Sequence, residues 1–111
     1  MSEHYSEKEQ IQYKKDFEGL CNFFISQGFE EDNTVAYYLK NTFRLFYKHT
    51  GGLNQKLEIQ VDIPMGDYKG GVSDITHDEK HTIFNYFTII KVETFKMLIE
   101  NNCILRRYFA F

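Results

Sequence analysis

The sequence predicts an α+β domain: an N-terminal amphipathic helix packed on a small, mainly antiparallel sheet, with a second helix near the C-terminus. Three observations carry that reading. Leu57, Ile59, Val61 and Ile63 alternate with Glu58, Gln60 and Asp62, which is the two-residue period of a half-buried strand. Phe17, Leu20, Cys21, Phe24 and Ile25 recur at helical spacing, and Phe95, Leu98 and Ile99 do so again near the end. The chain of 111 residues is the length of one domain with a single core, and no repeat or linker divides it.

The first helix is expected over Ser6 to Gln27, because Ser6 followed three residues later by Glu9 makes a capping box. Gly28 fits its stop, where a positive φ costs glycine nothing. Glu30 to Asn33 reads as a polar turn. From Thr34 to His49 the favoured reading is two strand segments broken near Lys40 and Asn41, although 34–39 also fits a helix. Thr50 to Asn54, with Gly51 and Gly52, joins this to a strand Gln55 to Ile63 as a hairpin. Pro64 ends that strand, and Met65 to Asp78 reads as a loop. Thr82 to Val92, rich in aromatic and β-branched residues, predicts another strand, and Glu93 to Asn101 the second helix.

Composition narrows function mainly by exclusion. A net charge of −3 gives no electrostatic reason to bind nucleic acid, and Arg106-Arg107 beside Tyr108 and Phe109 is thin support for it. The charge is uneven: residues 1–32 hold eight acidic and three basic side chains, a net −5, and the remainder is +2. With 11 Phe and 8 Tyr the chain has more rings than a core of this size needs, which leaves some for contact with a partner. Cys21 and Cys103 lie far apart and form no ligand pair, and no stretch reads as a signal peptide or membrane span. A cytoplasmic location, with no membrane partner, is the expectation.

No complete catalytic motif is present. His77 and His81 are four residues apart, so on a helix they would share a face and could hold one zinc ion, with Asp74 as a further ligand. The zincin pattern, however, places Glu directly after the first His, where this chain has Asp78. Gly66 to Gly71 has the glycines and lysine of a phosphate-cradling loop but not its spacing. Glu58 and Asp62 are the leading catalytic candidates, since carboxylates on a central strand are common ligands for Mg²⁺. Four residues of strand span roughly 13 Å, so only one of them would ligate a given ion, and Asp62 near the strand end is favoured. The alternative for both is a solvated outer sheet face.

The order of a helix, Asn41-Thr-Phe-Arg-Leu-Phe-Tyr-Lys48, a glycine turn, Lys56-Leu-Glu-Ile-Gln-Val-Asp-Ile-Pro64 and Ile90-Lys-Val-Glu-Thr-Phe-Lys-Met-Leu98 resembles the middle and C-terminal part of AbiEii-type toxin nucleotidyltransferases. The resemblance spans roughly residues 17 to 111. It implies that Glu58 or Asp62 would be the third catalytic carboxylate of that family and that Lys96 would match its helical lysine. The family's Gly-Gly-Ser/Thr loop and Asp-x-Asp pair have no counterpart in this chain, so the resemblance implies a fragment or a divergent relative.

The functional expectation is therefore a non-catalytic protein-binding module without a cofactor, of the kind that blocks or escorts a host protein. Its contacts with a protein partner or a second copy are assigned to Arg106, Arg107, Tyr108, Phe109 and Phe111 in the apolar terminal segment. The alternative is Mg²⁺-dependent nucleotide binding through Asp62.

Overall fold

A computed structural model describes residues 5–49, 56–64, 70–77, 82–87 and 91–101. The first helix, α1, runs Glu7–Ser26 and begins as its sequence dictates. The Glu9 N–H donates to Ser6 Oγ and the Ser6 N–H to Glu9 Oε1, each at 3.2 Å, so two otherwise unpartnered backbone donors are satisfied reciprocally. Its C-terminus is closed by the Phe29 N–H on the Phe24 carbonyl and the Gly28 N–H on the Ile25 carbonyl, both 3.1 Å, with Gly28 at φ 90. That pairing is a Schellman motif, whose left-handed residue is easiest for glycine.

Among the described residues five strands follow, β1 (Glu30–Glu31), β2 (Phe43–His49), β3 (Lys56–Asp62), β4 (Val72–His77) and β5 (Thr82–Phe87), and then α2 (Val92–Asn101). They form one antiparallel sheet in chain order, β1-β2-β3-β4-β5. The register pairs Phe46 with Ile59, Lys48 with Leu57 and Arg44 with Val61, which puts these residues on one face. α1 lies against that face, and α2 packs on α1 through Phe95. Phe24 is the hub, with ring contacts to Phe23, Phe29 and Phe95 and a tilted contact with Phe46. Leu20, Leu57, Ile59, Val61 and Val72 complete the buried core around it.

The expected α+β architecture holds, with four local corrections. Residues Glu30 and Glu31 are a short strand, paired to Tyr47 and Phe46, and not part of a turn. The segment 34–39 is no strand: the Asp32 carboxylate accepts from the Thr34 N–H at 2.9 Å and its hydroxyl at 2.7 Å, and a 3₁₀ helix follows over Tyr37–Asn41. These short-range bonds give the backbone partners that a sheet would otherwise supply. The expected loop from Met65 ends early, because Val72–His77 pairs on both sides as β4. On α1, Ile25 is 47% exposed, while Phe23 faces α2 through the Phe95 ring. The Thr50 to Asn54 turn lies outside the described residues, but the hairpin it serves is formed by β2 and β3.

Candidate functional site

At the edge where β1 meets α1, the helix residues Lys14, Phe17 and Glu18 form one wall of an open pocket of about 480 Å³. Their spacing of three and four residues places them on one side of the helix. Glu31 of β1, Lys40 and Asn41 of the 3₁₀ helix, and Arg44 of β2 form the rest. Glu31 reaches this side because its register partner is Phe46, a core residue of the helix-covered face, and Arg44 lies two residues from Phe46 on that face.

The charges inside the pocket are largely mutually satisfied. Arg44 donates to both Glu31 oxygens, from Nη2 at 2.5 Å and Nε at 3.2 Å, the two-pronged pairing that guanidinium geometry favours. Lys40 Nζ lies 3.5 Å from the same carboxylate and donates to Asn33 Oδ1 at 3.0 Å. The Arg44 hydrogen bond, opposed by burial and helped by both cations, holds the Glu31 carboxyl below its ordinary value. Behind Arg44, burial pushes the Cys21 thiol up to about 12, against the pull of the guanidinium, so this cysteine stays protonated and packs as an apolar group. The Lys14 side chain makes no hydrogen bond or ion pair among the described residues.

The Glu31–Arg44 pair has a pH signature. A carboxyl whose folded value is depressed adds stability that is fully present above its unfolded value and lost as pH falls through the folded one. Glu31→Gln is expected to cost about 1–2 kcal/mol at neutral pH. The difference from the wild type, measured by urea unfolding, should stay constant above about pH 5 and shrink below the ordinary carboxylate value. A difference that is flat down to pH 3 would show that the pair contributes nothing specific.

Tyr37 and Tyr38 stand beside this pocket, 87% and 73% exposed. In a 3₁₀ helix side chains three apart eclipse one another, so Tyr37 lies over Lys40 and Tyr38 over Asn41, one turn from the pocket wall. The alternation of Val35, Tyr37 and Leu39 predicts a strand, which would turn one of the two tyrosines inward. The adjacent tyrosines between polar Asn33-Thr34 and Asn41-Thr42 were the available signal.

Asp62 and Glu58, the two carboxylates singled out from sequence, each make their own contacts. Asp62 is not on a wet outer face; it is 7% exposed and accepts from Gln60 Nε2 at 2.9 Å. Glu58, half-buried on the same strand, pairs with Lys56 Nζ at 2.9 Å. His77 is a strand residue at the end of β4, opposite Thr82 at the start of β5; His81 lies outside the described residues. Among the described residues, no group of three His, Cys, Asp or Glu side chains is arranged to hold a metal ion. Arg106, Arg107, Tyr108, Phe109 and Phe111 lie outside the described residues, as does most of the glycine-rich segment from Gly66. No described helix is long and apolar enough to cross a membrane.

No family model, curated protein or solved structure matches the chain.

Proposed function

We propose that this chain is a non-catalytic, cytoplasmic protein-binding module that meets its partner at Tyr37, Tyr38 and the adjoining pocket, with the terminal segment Arg106 to Phe111 as a second contact. The exposed tyrosine pair carries this reading. Tyrosine offers a large amphipathic contact area with few rotors to freeze, which is why it is enriched where binding energy concentrates. The 3₁₀ turn is itself anchored, because Leu39 N–H donates to the Ala36 carbonyl at 2.9 Å and Thr42 N–H to the Leu39 carbonyl at 2.8 Å. The rings are thus presented on a fixed backbone. A module that blocks or escorts a host protein suits such a surface.

The test is capture of a partner by the wild type and by a Tyr37→Ala/Tyr38→Ala variant. The double variant is expected to lose at least about tenfold in capture, while its stability stays within about 0.5 kcal/mol because neither ring is buried. A variant that captures as much protein as the wild type would remove this surface from the account. Deleting Tyr108 to Phe111 tests the second contact in the same assay.

One observation supports the alternative, a fragment or divergent relative of an AbiEii-type nucleotidyltransferase. Asp62 is a buried carboxylate at the end of a central strand. That reading expects Mg²⁺-dependent nucleotide binding that Asp62→Ala abolishes and Asp74→Ala leaves intact.

A further inference from the structure

We propose that the pocket between α1, β1 and the 3₁₀ helix receives a carboxylate of the protein partner, an Asp or Glu side chain flanked by apolar residues that lie against Tyr37 and Tyr38. This rests on the protein-binding reading and adds the chemistry of what is bound.

Charge and spare donors in the pocket favour a carboxylate. Lys14, Lys40 and Arg44 face Glu18 and Glu31 in the pocket, an excess of one positive charge in a chain whose first 32 residues are at −5. Glu31 is already engaged at both oxygens by Arg44, so it has little capacity left to attract a further cation. Lys14 is unengaged among the described residues, and Lys40 uses Asn33 and Glu31 for two of its three donors. Two ammonium groups can therefore reach an incoming carboxylate from opposite walls without giving up an existing bond. An incoming ammonium would meet only Glu18 in that unengaged state. Beneath them Phe17 is 6% exposed and supplies an apolar floor, which lowers the local dielectric and strengthens the charge pairing. Tyr37, one turn above Lys40, offers a ring to the residue next to the carboxylate.

The experiment pans a random-peptide display library against the full chain. Peptides with Asp or Glu beside an aromatic or aliphatic residue are expected to dominate. The strongest of them should weaken about tenfold when its carboxylate is replaced by the amide, and about tenfold on a Lys14→Met/Lys40→Met variant. Its affinity should also fall as salt rises from about 0.1 to 1 M, where the screening length drops from about 10 to 3 Å. Arg44 stays unchanged in that variant, so Glu31 keeps its main partner, and an unaltered melting curve confirms the fold. Enrichment without acidic preference, enrichment of basic peptides, no enrichment at all, or equal binding to the double-lysine variant would each overturn the proposal. The broader reading fails separately, when Tyr37→Ala/Tyr38→Ala captures a partner as well as the wild type does.

Discussion

Phe24→Ala is expected to lower the free energy of unfolding by about 4 kcal/mol, a large share of the roughly 5–15 kcal/mol that holds a domain folded. Phe24 is fully buried, and its ring touches Phe23 on its own helix, Phe29 after the helix turn, Phe46 on β2 and Phe95 on α2. Truncation therefore opens a cavity at the point where both helices and the sheet meet. The surroundings cannot collapse into it without moving one element relative to another, so the full cost of aromatic truncation is expected. Urea unfolding followed by circular dichroism measures this. Should Phe24→Ala fail to fold, Phe24→Leu fills more of the space and is expected to cost about 1–2 kcal/mol. A loss under about 1 kcal/mol for the alanine variant would mean that the ring is not the centre of the core.

Gly70→Ala is the second large effect, expected at about 3 kcal/mol or more. A Cβ at position 70 would sit under 3.0 Å from the Pro64 nitrogen, the Asp62 carbonyl oxygen and the Ile63 carbonyl carbon. All three are backbone atoms, so no side chain can swing aside. They are also held in place, since Asp62 and Gly71 exchange hydrogen bonds of 2.7 and 3.1 Å at the start of the β3–β4 pair. Adding the methyl group must break that rung or push Pro64 away. Gly19→Ala is the informative control, because among the described residues its Cβ would meet only the Val92 Cγ2 methyl at 3.3 Å. Alanine in a helix interior gains about 1 kcal/mol over glycine, so Gly19→Ala should be close to neutral. Equal losses at the two sites would contradict the close backbone approach at Gly70.

The parts of the fold that are legible in the sequence are those with a strong local signature. Ser6 and Glu9 mark the start of α1 and Gly28 marks its end, and the alternation in β3 identifies its core-facing residues Leu57, Ile59 and Val61. The segment 34–41 is not legible, because Val35, Tyr37 and Leu39 alternate while the deciding bonds come from the side chains of Asp32 and Asn33. Period alone cannot weigh a side-chain acceptor against a neighbouring strand. β4 is hidden by its polar composition, since its strand character comes from pairing with β3 and β5 and not from its own pattern. Of the candidate site, Lys14 and Glu18 are visible as neighbours on one helix side, but their meeting with Glu31, Lys40 and Arg44 depends on how the β1–β2 pair folds back on α1. The carboxylates read as an outer pair part ways for the same reason: burial of Asp62 is a property of the assembled sheet, invisible in a two-residue period.

The most direct measurement of the central claim is size-exclusion chromatography with mass analysis of the chain recovered from host lysate, with a nucleotide titration in excess Mg²⁺ on the same sample. The account predicts a stoichiometric complex with a protein, lost in Tyr37→Ala/Tyr38→Ala, and no nucleotide binding. A chain that runs without a partner and binds nucleotide in a Mg²⁺-dependent manner through Asp62 would contradict it.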